Sequence, residues 1–273
     1  MRGFGHGVRS VLRDLRAGEL RVLIGAVTLA VTAMTAVGFF TDRVSQAVAI
    51  RSAEVLAADL VLRSNRPIGD EYRQRAGELG LAVSTAVSFP SVVVAGDATS
   101  LADIEAVGPG YPLRGSLRTS DRPFGESRPE TGIPQPGEAW ADAKLLARLD
   151  AAPGVELRVG SAKVKVSRVL DYRPDQGWSF VDLAPTLLMN QQDVEATGLV
   201  QPGSRATYRQ MFAGDASAVS ALRRYMSPRL GVSERIRDLS DAGPEIRSAL
   251  NRAQRFLGLA ALTGTLLAAV AVA

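Results

Sequence analysis

Residues 22–40 read VLIGAVTLAVTAMTAVGFF, nineteen consecutive positions without a charge, an amide side chain or a proline. At ~1.5 Å rise per residue such a helix spans about 28 Å, close to the thickness of a hydrocarbon layer, and a helix satisfies its own backbone there. The stretch predicts a transmembrane helix. Residues 1–21 carry Arg2, Arg9, Arg13, Arg16 and Arg21 against Asp14 and Glu19, a net +3. Short basic flanks stay in the cytoplasm, so the N-terminus is expected inside and the chain after residue 40 outside. The alternative is a cleaved secretory signal, because Ala47-Val48-Ala49 has the small-x-small pattern of a cleavage site. The length of the apolar run and the charges at Asp42 and Arg43 count against cleavage.

The rest of the chain is organised around this run. In the leader, Val8, Leu12 and Leu15 recur at i, i+4 and i+7 with Arg9, Arg13 and Arg16 off that stripe, which suits a short helix on the inner membrane face. A disordered basic tail is the alternative, given Gly3, Gly5 and Gly7 just before. Beyond the run, Val44, Val48, Val55 and Leu56 keep helical spacing and no Gly or Pro interrupts residues 41–60. This predicts a stalk helix over 41–60, with helical character unbroken from about Leu20 to Ala58. A matching stretch returns at the far end. Ile246, Leu250 and Ala253 are helically spaced over 241–255, and residues 256–273 are eighteen uncharged positions that predict a second transmembrane helix. The two stalks are expected to pack side by side, Val48 or Val55 against Leu250. A membrane helix that stops at its last apolar residue leads us to expect a truncated protein or a fragment of a larger permease.

Between the apolar ends, residues 61–240 predict an α+β extracytoplasmic domain. Strands are expected at 60–62, at 81–94 with a break near Pro90, at 155–159 and 164–170 as a hairpin through Gly160-Ser161, at 178–189 and at 205–212. Helices are expected at 70–79, 140–149 and 216–226, and 101–107 is an element of open type. Residues 108–138, with six Gly and six Pro, predict a long irregular connection.

Composition excludes several chemistries. The net charge of +4 sits mostly in the leader, and no basic run with interleaved aromatics points to nucleic acid. There is no cysteine, hence no disulfide, thiolate metal site or thiol nucleophile. The single histidine, His6, lies in the leader, out of reach of any triad in the outer domain. Gly3, Gly5 and Gly7 have the wrong spacing for a nucleotide loop, and no P-loop occurs. Asp171, Asp175 and Asp182 share a turn-rich segment and could hold Ca²⁺, but solvated turn aspartates are the favoured reading. Trp140 and Trp178 read as packing residues rather than a ligand cage. The apolar runs hold no ionisable group, so energy coupling is expected from elsewhere. No catalytic, cofactor-binding or metal residue is assigned.

The sequence Arg16-Ala17-Gly18-Glu19-Leu20-Arg21 resembles the R-x-G-E-L-R motif that precedes the first helix of YbbP-like permeases. Similar to them also are Leu188-Met189-Asn190 and the later Ala196-Thr197-Gly198-Leu199-Val200-Gln201-Pro202-Gly203-Ser204. Leu157-Arg158-Val159-Gly160 with Val164-Lys165-Val166-Ser167-Arg168-Val169-Leu170 is similar to the hairpin of MacB-type periplasmic domains. The whole arrangement resembles the MacB/FtsX class of ABC-transporter permeases, covering their N-terminal portion with a MacB-like periplasmic core domain. The resemblance implies a multi-pass protein of the bacterial inner membrane, without enzymatic activity of its own. It further implies a separate cytoplasmic ABC ATPase, mechanotransmission through the stalks, and a hydrophobic or lipid-like substrate. Membrane lipid, a periplasmic protein and a second permease copy or half are the other implied partners. A two-helix receptor or scaffold whose outer domain binds an envelope protein or ligand is the competing reading, and a membrane-tethered hydrolase the weakest.

Overall fold

A computed structural model describes residues 56–176 and 184–238, together with isolated helical positions between Gly25 and Arg43 and at Arg252, Arg255 and Leu259. The chain divides into two compact units, Met1–Ala49 with Gly243–Ala273, and Ile50–Ala242. In the first unit the described positions are helical, and Val31, Phe39 and Leu259 among them are exposed. Among the described residues no helix is long and apolar enough to cross a membrane. The leader, most of the runs 22–40 and 256–273, and the expected meeting of Val48 or Val55 with Leu250 lie outside the described residues.

In the second unit, helical geometry ends at Leu56, two residues short of the expected limit. Ala57 takes a φ of 56°, a left-handed turn that a helix cannot continue, and it is fully buried. β1 (Leu60–Ser64) follows, then α1 (Glu71–Glu78) and β2 (Ala82–Ala95). Near the C-terminal end of the unit come β10 (Thr207–Ala213), α4 (Ala216–Met226) and β11 (Glu234–Asp238). Asp215 caps α4 by accepting from the Ser217 N–H. These strands lie in the order β11-β1-β10-β2, with β10 antiparallel to both β1 and β2. Two split β-α-β units therefore interlock, the ferredoxin-like arrangement. Leu60, Leu62 and Phe212 on one sheet face pack with Tyr72 and Ala76 of α1 and Leu222 and Met226 of α4.

A second module is inserted between β2 and β10. It comprises β3 (Ala98–Val107), β4 (Leu117–Ser120), β5 (Arg128–Glu130), β6 (Glu138–Asp142), α2 (Ala143–Arg148), β7 (Glu156–Val159), β8 (Ala162–Tyr172), β9 (Thr186–Asn190) and α3 (Val194–Thr197). The pairings β2-β3-β9-β6-β8-β7-β2 close on themselves, since β7 bonds both β8 and the second half of β2. Six strands thus form a small barrel without free edges. Ile104, Val159, Val164, Val166, Leu187 and Met189 belong to its core, together with Leu145 and Leu146 of α2.

Several expectations change. Pro90 does not break its strand. Between Ser88, the last partner of β10, and Val93, the first partner of β7, β2 pairs with β3 alone, so a missing N–H is tolerated there. The helix expected over 140–149 begins only at Ala143. Asp142 caps it by accepting from the Leu145 N–H (2.7 Å), and Trp140 lies upstream in β6. Residues 108–138 are not one irregular connection, because β4 and β5 form within them as Leu117 and Tyr111 are buried. The open element at 101–107 is strand β3, and β11 was absent from the sequence reading.

The Gly160-Ser161 hairpin stands as expected, and its glycine does more than turn. Gly160 has a φ of 59°, and a Cβ placed there would lie 2.2 Å from the Thr197 carbonyl oxygen. The β7–β8 turn is pressed against the segment after α3. Gly160→Ala should therefore cost at least about 2 kcal/mol, since both the backbone conformation and the space forbid a side chain. Denaturant midpoints of the full chain in detergent will measure this, and an unchanged midpoint would refute the close approach.

Candidate functional site

Two places concentrate charge where a folded domain normally avoids it. The first, within the second unit, lies at the start of β1 and the end of β11. Asp59, just before β1, accepts from Arg114 Nε (3.0 Å) and Nη2 (2.7 Å) and from the Gly214 N–H (3.0 Å). The Arg114 N–H in turn donates to the Ala57 carbonyl (3.0 Å), and the Asp59 N–H donates to Phe212 (3.0 Å). At the end of β11, Asp238 is paired in register with Leu60 and ion-pairs with Arg223 of α4. The strands that receive and return the chain are hydrogen-bonded neighbours, and a carboxylate fastens the end of each.

The second place lies on the helix-free face of the β10-β2-β3 sheet. Glu105 of β3 and Arg173 after β8 are buried beside Tyr111, and the side chains of Arg209 of β10 and of Asp175 after β8 are only 12% and 5% exposed. Arg209 binds Glu105 and, through Nη1, Asp175 Oδ2 (2.6 Å). Arg173 Nη1 lies 2.8 Å from Glu105 Oε2, and the Tyr111 hydroxyl donates to Asp175 Oδ1 (2.5 Å). Two acids and two bases neutralise one another.

Burial opposes the charge on Asp175, yet Arg209 and Arg173 outweigh it and hold the carboxyl below its ordinary range. Burial, then the Asp175 charge, pushes the Tyr111 phenol well above its usual value and keeps it a donor. For Arg173 and Arg209 the desolvation penalty is overcome by Glu105 and Asp175, so both stay protonated. The ion pairs join β3, β10 and the chain after β8 at one point.

The residues weighed for function in the sequence are dispersed. Asp175 is not a solvated turn aspartate but part of the buried cluster, because the chain folds back over β3 and β10 after β8. Asp171 is exposed and accepts from Ser120 Oγ (3.0 Å). Asp182, Trp178, His6 and Gly3, Gly5 and Gly7 lie outside the described residues. Trp140 is 4% exposed and packs with Val107 and Leu188, a packing role as read. Among the described residues no group of His, Cys, Asp or Glu could hold a metal ion. Glu105, Arg173 and Arg209 were missed, although one signal existed: a lone glutamate inside the apolar run Ile104-Glu105-Ala106-Val107.

No protein-family model matches the chain. It is 33% identical over 261 residues, 96% of its length, to the ABC transporter permease YbbP of Escherichia coli (strain K12). The chain spans about a third of that relative's length, 32%. The resemblance drawn from the sequence is thereby borne out. The fold overlays the periplasmic region of MacB from Actinobacillus actinomycetemcomitans with a TM-score of 0.45 at 13% identity, over 71% of this chain and 95% of that one. It overlays the extracellular domain of YknZ from Gram-positive bacteria with a TM-score of 0.42 at 10% identity, over 66% and 100%.

Removing one partner from a buried pair leaves an uncompensated charge, a loss of about 3–5 kcal/mol. Asp175→Asn should destabilise by that order at neutral pH. Because the folded carboxyl titrates below the unfolded one, its stabilisation is whole above the unfolded value near ~4 and is lost as pH falls through the folded value. The gap between wild type and variant should therefore narrow on acidification. Urea midpoints at pH 7 and in the acid range decide it, and a gap that does not narrow would sink this account of Asp175.

Proposed function

Starting from the kinship with the ABC transporter permease YbbP, we propose that this chain is part of the membrane-spanning subunit of an ABC transporter and transmits motion from a separate cytoplasmic ATPase to its outer domain. The observation that carries the mechanism is the pairing of Leu60 with Asp238. The segments that precede β1 and follow β11 act on adjacent strands, so movement of both together displaces the sheet as one body. Asp59 and Asp238 then hand that movement to β10, the Arg114 segment and α4. The buried cluster passes it to the barrel.

The runs 22–40 and 256–273 span the inner membrane in this reading, with the N-terminus cytoplasmic and residues 61–240 extracytoplasmic. Exposed Val31, Phe39 and Leu259 on helices support lipid contact. The absence of ionisable groups from both runs supports energy supplied by a partner and a hydrophobic or lipid-like substrate. A second permease copy or half completes the membrane part, and a periplasmic protein is a further partner for the outer domain.

Co-purification in mild detergent tests the assignment. An ATPase subunit should be recovered with the chain, and recovery without one would favour the receptor or scaffold. Topology can be read directly because the chain has no native cysteine. A Ser127→Cys variant should react with a membrane-impermeant maleimide from the periplasmic side and Ser10→Cys should not; the reverse pattern would invert the orientation.

A further inference from the structure

The sheet face that carries the buried cluster continues outward to β1 and β11, and there its charges are not balanced. Register places Arg235 opposite Arg63 and Arg63 opposite Arg209, a row of three guanidinium groups across β11, β1 and β10. Arg237 stands opposite Val61, one same-face position along. Like charges directly opposite in a sheet destabilise it. Arg209 is answered by Glu105 and Asp175. Arg235 reaches only the backbone carbonyls of Val232 and Glu234, and no ion pair reaches Arg63, Arg235 or Arg237 among the described residues. Arg63 is half-buried, while Arg235 and Arg237 are exposed beside it. Burial, followed by repulsion from Arg209 and Arg237, lowers the pKa of Arg63.

Among the described residues the carboxylates that act on Arg63, Glu105 and Asp175, are already paired with Arg173 and Arg209, so the row carries an excess of positive charge suited to an anion. We propose that Arg63, Arg235 and Arg237 form a binding site for a phosphate group on the helix-free face of the β11-β1-β10 sheet. Guanidinium forks match phosphate oxygens in pairs, and a dianion answers several positive charges where a single carboxylate would leave an excess. Val61 and Met211, apolar and buried on the same face, adjoin the row. An amphiphile bearing a phosphate headgroup is one source of such a dianion. Only this choice of source rests on the proposed transport of a lipid-like substrate; a free phosphate ion shares the chemistry.

The test uses the full chain in non-ionic detergent at constant ionic strength, with inorganic phosphate and short-chain dihexanoylphosphatidate as probes. Each probe should raise the thermal midpoint of the wild type. Arg63→Gln and Arg237→Gln should each weaken binding at least tenfold by titration calorimetry, while Arg158→Gln, on β7, should not. Without any anion, Arg63→Gln should melt at or above the wild-type temperature, because it removes an unanswered charge; this separates lost binding from lost folding. Dihexanoylphosphatidate bound more than tenfold tighter than phosphate assigns the headgroup, and equal affinity assigns the free ion. No shift with either probe, an unchanged shift in Arg63→Gln, or a shift with polyglutamate alone overturns the site. None of these readouts requires an ATPase, so failure here and failure of the permease assignment remain distinct.

Discussion

The charged groups of Glu105, Asp175, Arg173 and Arg209 are withdrawn from water together, and that single constraint decides how the two modules of the second unit meet. Any one of these charges, taken from water alone, would cost several kcal/mol. Their burial is tolerated only because β3, β10 and the chain after β8 arrive at one point with opposite signs. Nonspecific apolar contacts between Met211, Trp140, Val107 and Leu188 would allow sliding. Charged or hydrogen-bonded contacts to both oxygens of Glu105 and of Asp175 resist it. The cluster also needs Tyr111, and so ties down the segment that leads to Arg114 and hence to Asp59.

From that fixed point the remaining architecture follows in two directions. Toward β1 and β11 the sheet is covered on one face by α1 and α4, and both of its outer strands are continuous with the chain that leaves the domain. Toward β9 and β6 the same sheet curls until β7 meets β2, and the barrel closes. β2 belongs to both modules. The proposed displacement at Leu60 and Asp238 would pass through the continuous pairing of β1, β10 and β2 to reach the barrel.

Much of this was legible where the cause is local. The helices expected at 70–79 and 216–226 formed, and alternation over 155–170 with a glycine between gave the hairpin. The failures share a different cause. Trp140 looked helical because Leu145, Leu146 and Leu149 are, and only the Asp142 cap divides the two elements. β11, Glu-Arg-Ile-Arg-Asp, is too polar to read as a strand because it lies at an edge, with β1 its only strand partner. Pro90 was taken for a break because its one-sided pairing depends on where β10 ends and β7 begins. Residues 108–138 hid two strands among glycines and prolines. The charge cluster depends on three segments far apart in sequence; Glu105 alone betrayed it. Barrel closure left no local trace at all.

The insertion of the barrel between β2 and β10 also has a consequence for synthesis. β1 emerges first, yet both of its sheet partners are made last, after the whole barrel. Contacts so distant in sequence are slow to form. A nascent chain would complete the barrel's own strands while β1 waited unpaired beside the first apolar segment, its backbone donors and acceptors open to other partners. During that interval the short length of β1, five residues, and the charge of Arg63 within it are what defend the molecule against misassembly.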